Sequence, residues 1–144
     1  MAEQSNVILV AIDFEKASMR ALSFAKELGA KLGAEIVLAH VYQVPMFTYP
    51  GLEPALLPTF TAEIGDAVKK AMGELKEQVG VSRAVLKEGE PASELLAIAD
   101  ELSASMIVMG THGRKGISHL LLGSVAERVV RQSKVPVLTI RCSD

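Results

Sequence analysis

The sequence predicts a single doubly wound α/β domain, with a five-stranded parallel sheet and four helices. Continuous apolar runs at 7–12, 35–41 and 106–109 carry this prediction, because strands covered by helices on both faces have this character. Stretches with helical periodicity alternate with these runs along the chain. A length of 144 residues, 49% of them hydrophobic, suits one domain over 1–144 with one sizeable core.

The first half of the chain is predicted to form one βαβ unit. A helix joins the strands at 7–12 and 35–41, because the apolar residues between them recur at helical spacing. Gly33 follows this helix at the position where a left-handed C-terminal residue usually stands. The residues of the apolar stripe are Leu22, Ala25, Leu28 and Leu32.

The second half repeats the alternation of strands and helices. The predicted elements are a helix over 64–79, a strand over 81–86, a helix beginning at Pro91, a strand over 106–109, a helix over about 124–132 and a strand over 135–140. The periodic apolar positions of the first two of these helices are Ile64, Val68, Met72, Leu75, Val79, Leu95, Ile98, Ala99 and Leu102. Strands that alternate with helices in this way form βαβ units and a parallel sheet.

A proline-rich segment at about 42–60 interrupts this rhythm and predicts a long loop. Loops of this length in a compact domain are usually functional or mobile. The segment leaves the carboxyl end of the second strand, which is the edge where open α/β sheets bind ligands. A lid or partner surface and an apolar flap packed on its own domain are equally compatible with its composition.

Charge and composition exclude several classes of function. The formal net charge of −2 leaves no broad basic surface, so we expect no nucleic-acid partner. The polar start and the short apolar run at 7–12 predict neither a signal peptide nor a membrane span. The single cysteine, Cys142, fits a reducing compartment. We therefore expect a cytoplasmic protein without a membrane partner.

A glycine-rich stretch at 109–131 is the strongest functional signal. We expect Gly110 and Gly113 to adopt positive φ and to let backbone N–H groups approach a ligand. Gly123 and Ser124 open the following helix, whose free N–H donors and positive dipole end attract anions. The stretch therefore predicts a phosphate site.

Known nucleotide motifs narrow the kind of site. Neither the Walker P-loop pattern nor G-x-G-x-x-G occurs in the sequence. A phosphoacceptor receiver domain is excluded because Asp13 lacks an acidic neighbour at the end of the first strand and the chain end lacks a lysine. A flavin site is unsupported, because no hydroxyl-rich loop follows that strand. The pattern that does fit is G-x2-G-x9-G-S/T, at Gly110, Gly113, Gly123 and Ser124.

This pattern resembles the ATP-binding type of the universal stress protein family, and the resemblance covers nearly the whole chain. It rests further on the segments 7–13, 89–92, 107–114 and 123–130. The resemblance implies a Rossmann-like fold of the adenine nucleotide alpha hydrolase-like type, with strand order 3-2-1-4-5. It also implies ATP, with Mg²⁺, as the ligand and a homodimer formed through the last strand, 135–141.

The resemblance further implies which residues bind the nucleotide. Asp13 would contact the ribose, or a metal–phosphate group through Mg²⁺, and the backbone of Val41 would contact adenine. The loop after the fourth strand would surround ribose and phosphates, and Ser124 would donate its hydroxyl and its N–H. The full implied set is Ala11, Ile12, Asp13, Val41, Met109, Gly110, His112, Gly113, Arg114, Gly123, Ser124 and Val125.

Most of these residues also have a purely structural interpretation. Ser124 and Glu127 have the spacing of a capping box, in which both side chains satisfy the first N–H groups of a helix. Asp13 has the residue type that orients a turn into a helix. The glycines could form only a tight connection, and His112, His40 and His119 read as structural rather than as catalytic or metal-binding residues.

One departure from the family pattern concerns the residues after Asp13. Phe14 and Glu15 replace a small residue and a serine, which adds bulk and negative charge near the phosphates. Three functions remain open. The favoured one is an ATP-binding stress-response regulator whose loaded state changes its loops, its dimer or a surface for an unknown protein partner. The alternatives are a slow Mg²⁺-dependent ATPase that uses Asp13 and His112, and a nucleotide-free interaction module.

Overall fold

The computed structural model describes residues 6–43, 57–111 and 122–141, with the backbone alone over 57–61. The strands are β1 (Val7–Ala11), β2 (Glu35–Tyr42), β3 (Arg83–Glu88), β4 (Met106–Gly110) and β5 (Val137–Ile140). The helices are α1 (Lys16–Leu32), α2 (Leu57–Val79), α3 (Pro91–Glu101) and α4 (Ser124–Gln132). Elements alternate as the periodicities predicted.

All pairings in the sheet are parallel, and the strand order is β3-β2-β1-β4-β5. The predicted doubly wound fold and its order are thus confirmed. Strand β1 lies at the centre, with Ala11 paired to Ala39 of β2 and Val10 paired to Val108 of β4. The chain passes from one side of β1 to the other, which makes the ends of β1 and β4 the topological switch point.

The sheet lies between two apolar cores, one on each face. Alternate residues of β1 divide between them: Leu9 packs with α3 and α4, whereas Ile8 and Val10 pack with α1 and α2. All three side chains are completely buried. This explains why the central strands are apolar without alternation, since both faces must be covered.

Helix α1 ends as its sequence predicts. Gly33 has φ 65°, and its N–H donates to the carbonyl of Gly29. This left-handed residue satisfies a terminal carbonyl of the helix. No helix within the described ranges has the length and apolarity that a membrane crossing requires.

The predicted loop over 42–60 extends too far, because its last residues belong to α2, which already begins at Leu57. Pro58 lies in the first turn of this helix, where the missing N–H of proline breaks no hydrogen bond. The high proline content therefore marked a helix start as well as a loop. The rest of the predicted loop, 44–56, lies outside the described residues.

Two strands begin two residues later than predicted. β3 begins at Arg83, because the N–H of Val81 donates to the carbonyl of Lys76 and still belongs to the end of α2. β5 begins at Val137, because both backbone groups of Val135 bond the Ser133 hydroxyl, at 3.1 and 2.7 Å. In both cases a local turn competes with the sheet for the same backbone groups.

Candidate functional site

A cavity of about 390 Å³ lies at the carboxyl edge of the sheet, over the ends of β1, β2 and β4. Helices α3 and α4 form its other walls. Its lining residues are Ala11, Ile12, Asp13, Ser18, Ala39, Val41, Pro91, Leu95, Met109, Gly110, Thr111, Gly123, Ser124, Val125 and Ala126. The cavity therefore occupies the topological switch point, where open α/β sheets bind ligands.

Most residues of the predicted nucleotide site line this cavity. They are Ala11, Ile12, Asp13, Val41, Met109, Gly110, Gly123, Ser124 and Val125. The other three, His112, Gly113 and Arg114, lie outside the described residues. Segments far apart in the sequence thus meet at one place, as a binding site requires.

The start of α4 faces the cavity without a side-chain cap. Gly123 is the N-cap residue, with φ −64° and ψ 161°, and Ser124 is already the first helical residue. The predicted capping box is therefore wrong: a glycine occupies the cap position, and Glu127 forms an ion pair with Arg131 instead. Among the described residues, no side chain of the N-cap position satisfies the first N–H groups of α4, and the residues that carry them line the cavity.

Helix α3 provides the contrast. The Glu90 carboxylate accepts hydrogen bonds from the N–H groups of Ala92 (3.3 Å) and Ser93 (2.8 Å). Hydrogen bonds from Ser93 hold the pKa of Glu90 below its ordinary value, and the Arg128 guanidinium at 2.7 Å adds to the effect. The N-terminus of α3 is thus capped by the Glu90 side chain, whereas the N-cap residue of α4, Gly123, provides no such side chain.

Thr111 connects the cavity to the edge strand. Its carbonyl accepts the N–H of Gly123 at 2.6 Å, and its own N–H donates to the carbonyl of Ile140 at 3.0 Å. The first bond brings together the two ends of the glycine-rich loop. The start of α4 and the end of β5 are therefore joined through one buried residue.

Gly110 is required for packing, and not for the positive φ that we expected. It is not among the described glycines with a left-handed backbone, which are Gly33, Gly80 and Gly89. A Cβ at Gly110 would lie 2.7 Å from Cβ of Ala17 and 3.0 Å from the Ser18 nitrogen. The missing side chain lets the start of α1 approach the end of β4, which is a packing role that the sequence analysis did not predict.

Asp13 has the turn-forming contact of its structural interpretation, and it also lines the cavity. Its Oδ1 accepts the N–H of Glu15 at 2.9 Å, and its own N–H donates to the Ser18 hydroxyl at 3.2 Å. The side chain is exposed. One carboxylate oxygen is thus used in the turn, and the second can accept hydrogen bonds from a ligand.

Phe14 follows Asp13 in a strained conformation. Its φ of 65° is left-handed, which is rare for a bulky residue. Its ring contacts that of His40 edge-on, with centroids 5.1 Å apart. The His40 Nδ1 lies 2.6 Å from the Ile12 carbonyl oxygen, a contact that agrees with the structural role expected for this histidine.

The far end of the cavity is apolar. Val41 ends the row of β2 side chains that face α3, and its backbone groups point to the side of β1, as those of Ala39 do. Because β1 ends at Ala11, the peptide of Val41 lies beyond the last paired residue of that strand. This end of the cavity can hold a flat ring against apolar side chains. The main chain of Val41 can form hydrogen bonds to polar atoms at the edge of such a ring.

Sequence reasoning missed several lining residues. They are Ser18, Ala39, Pro91, Leu95, Thr111 and Ala126. Ala39 could have been inferred from its register with Ala11, and Pro91 from its place at a helix start. Ser18 gave no signal, because one hydroxyl within a helical pattern reads as part of the helix surface.

The described lining residues contain one acidic side chain, that of Asp13. Within the described ranges, no group of three or more His, Cys, Asp or Glu residues could hold a metal ion. A divalent ion here would need ligand oxygens in addition to Asp13, as Mg²⁺ accepts from phosphates and water.

Comparison with known proteins places this chain in a family. The model of the universal stress protein family matches residues 5–141. Universal stress protein YxiE of Bacillus subtilis is 34% identical over 146 residues, which cover 94% of this chain and 99% of the relative. The match to the family model thus includes every helix and strand that the structure describes.

Solved structures agree with the fold. The structure of MJ0577, from Methanocaldococcus jannaschii, is similar with a TM-score of 0.80 at 24% identity, covering 99% of each chain. A universal stress protein in complex with cAMP is similar with a TM-score of 0.65 at 24% identity, covering 98% of this chain and 100% of the other. With the family match over nearly all of its length, this chain belongs to the universal stress protein family.

Proposed function

We propose that this chain is an ATP-binding regulatory protein of the stress response. The observation that carries the proposal is the N-terminus of α4, which has no side-chain cap at its N-cap residue within the described part of the chain and which lines the cavity at Gly123, Ser124 and Val125. Uncapped N–H donors and a positive helix end bind phosphate. The apolar pocket beside Val41 stands at the opposite end of the same cavity, as a nucleotide requires.

The proposed pose assigns one part of ATP to each part of the cavity. Adenine lies beside Val41, the ribose hydroxyls reach Asp13, and the phosphates meet the start of α4. From the predicted loop, His112, Gly113 and Arg114 would complete the phosphate site. Mg²⁺ would be held by the phosphates, and with the metal bound Asp13 would contact this metal–phosphate group instead of the ribose, so that the metal neutralises the phosphate charge near that carboxylate.

The regulatory part of the proposal rests on Thr111. Because this residue bonds both Gly123 and Ile140, a ligand that orders the start of α4 also acts on the end of β5. That strand is at the edge of the sheet and half-buried throughout. Unpaired strand edges associate with other chains, so we propose a homodimer through 135–141 whose surface responds to the nucleotide, in the cytoplasm.

Cyclic nucleotides enter the proposal as competing ligands. A structural neighbour is described in complex with cAMP. In our chain the N–H groups of the first turn of α4, before the Glu127 N–H that donates to Gly123, favour the greater charge of a triphosphate over the single phosphate of cAMP. Titration calorimetry with ATP and with cAMP compares the two directly, and we expect ATP to bind more tightly.

The decisive variant is Ser124→Pro. Proline is favoured at the first position of a helix, and the extended Gly123 before it accommodates a following proline. The variant therefore keeps α4 but removes one N–H and one hydroxyl, and ATP affinity should fall roughly ten- to hundredfold. Ser124→Ala is the matched control, since it removes only the hydroxyl.

Three results would count against the proposal. Wild-type protein that does not bind millimolar ATP would leave a nucleotide-free interaction module. An unchanged ATP affinity in Ser124→Pro would show that the phosphates bind elsewhere. Phosphate release at a rate that depends on Asp13 would make the protein an ATPase.

A further inference from the structure

We propose that Ser18 is a positioning residue that fixes Asp13 for the ligand. The inference rests on the proposed nucleotide site and deepens it, because it names the group that holds the ribose or metal contact in place. Ser18 lies in the first turn of α1, and only 3% of it is exposed. It lines the cavity beside Asp13.

The hydroxyl of Ser18 spans the turn that presents Asp13. It accepts the Asp13 N–H at 3.2 Å and donates to the Glu15 carbonyl at 3.1 Å. A serine hydroxyl has one proton, and here that proton is used within the protein. Ser18 therefore has no donor left for a phosphate, and its effect on the ligand must pass through Asp13.

The turn needs such a constraint because it is strained. Phe14 has φ 65°, a conformation that persists in a bulky residue only where several contacts enforce it. Ser18 holds the residues on both sides of Phe14. On the far side the ring of Phe14 contacts His40, which bonds the Ile12 carbonyl. Loss of the Ser18 bonds would let φ of Phe14 relax and turn the Asp13 carboxylate away from the cavity.

A double-mutant cycle tests this inference. The ATP dissociation constant is measured by calorimetry for wild type, Ser18→Ala, Asp13→Ala and the double variant. We expect Ser18→Ala to weaken ATP binding about five- to tenfold, from the loss of two hydrogen bonds. If Ser18 acts through Asp13, the double variant binds ATP as Asp13→Ala does, since the two changes are then not additive.

The cycle separates positioning from a merely structural role. If Ser18 had only a structural role, Ser18→Ala would lower ATP affinity by the same factor with and without the Asp13 carboxylate. The effects of Ser18→Ala and Asp13→Ala on the dissociation constant would then multiply. That result, or wild-type affinity in Ser18→Ala, would overturn the inference. Ser18→Thr, which keeps the hydroxyl, should bind ATP as wild type does. If Ser18→Ala does not fold, Ser18→Cys takes its place in the cycle, because a thiol is only a weak hydrogen-bond donor and acceptor; effects of Ser18→Cys and Asp13→Ala that simply multiply would refute the inference.

The same data distinguish failure of this inference from failure of the proposed function. If wild type does not bind ATP, the nucleotide site itself is refuted and the positioning role falls with it. If wild type binds ATP and Asp13→Ala weakens the complex, the site stands. Independent effects of the two residues then refute only the role of Ser18.

Discussion

Gly110 and Ala17 are in such close contact that a single Cβ at Gly110 would lie 2.7 Å from Cβ of Ala17 and 2.8 Å from its carbonyl carbon. The second atom belongs to the backbone and cannot move aside. This contact joins the end of β4 to the start of α1, and both Gly110 and the Ser18 that follows Ala17 line the cavity.

Gly110→Ala should therefore destabilise the fold. Overpacking against backbone costs roughly 1–3 kcal/mol, because a whole element must shift. Chemical denaturation would measure the free energy of unfolding of both proteins. The increased distance between α1 and β4 should also weaken ATP binding.

Gly73→Ala is the matched control. Gly73 lies in α2, and a Cβ there meets no atom within 4 Å. The same substitution should stabilise this helix by about 0.5–1 kcal/mol, because glycine loses more backbone entropy than alanine on folding. Equal effects at the two glycines would contradict the packing argument.

The sequence could predict the elements along the chain, because both faces of the central strands must be apolar and the helices must cover them. The strand order and most of the site residues came from the family resemblance, and the site residues lie together because the carboxyl ends of parallel strands share one edge. The function of single residues was harder to predict. Gly110 looked like a flexible loop residue, and its contact with Ala17 depends on two segments far apart in the chain.

Predictions from local motifs failed where a neighbouring residue can occupy the same structural position. Ser124 has the spacing of a helix cap, yet Gly123 occupies that position and leaves the serine inside the helix. The prolines at 54 and 58 suggested one continuous loop, although the first turn of a helix tolerates a proline and Pro58 lies in the first turn of α2. Ser18 was missed because its partners, the backbone of Asp13 and Glu15, become visible only in the folded turn.

Removal of the Glu90 carboxylate should give a pH-dependent loss of stability. The pKa of Glu90 is lowered in the folded protein from its ordinary 4.5, so its charged form stabilises the fold. This contribution is complete above the unfolded pKa and is lost as the pH falls through the folded pKa. Glu90→Gln should thus unfold at lower temperature than wild type at pH 7, and the difference should shrink below pH of about 4.5.

Glu77→Gln controls for the change in net charge, because Glu77 is an exposed residue of α2 on the other face of the sheet. Thermal unfolding followed by circular dichroism at pH 7 and at pH of about 3 would compare all three proteins. A deficit of Glu90→Gln that persists unchanged in acid would show that the charge of the helix cap is not its cause.

Gly33→Ala should destabilise α1 without any steric clash. Gly33 has φ 65°, and a Cβ there meets no atom within 4 Å. The cost is then the backbone conformation alone, roughly 1–2 kcal/mol for an L-residue in the left-handed region. Asparagine tolerates this region better, so Gly33→Asn should lose less stability in the same denaturation experiment. A greater loss for asparagine would mean that the terminus of α1 changes its conformation.

The edge strand offers a test of the homodimer that leaves the monomer intact. The Pro136 carbonyl accepts the N–H of Ile107 in β4, and the Ile140 carbonyl accepts the N–H of Thr111, which directly follows β4. Backbone groups alternate along a strand, so the N–H of Thr139 points away from β4, toward the side where a second chain would pair. Thr139→Pro removes this outward donor, and proline is tolerated on edge strands when its N–H side faces outward. We expect Thr139→Pro to be monomeric in sedimentation velocity at concentrations where Thr139→Ala is dimeric, with both variants binding ATP; a dimer that survives the proline would place the interface on another surface.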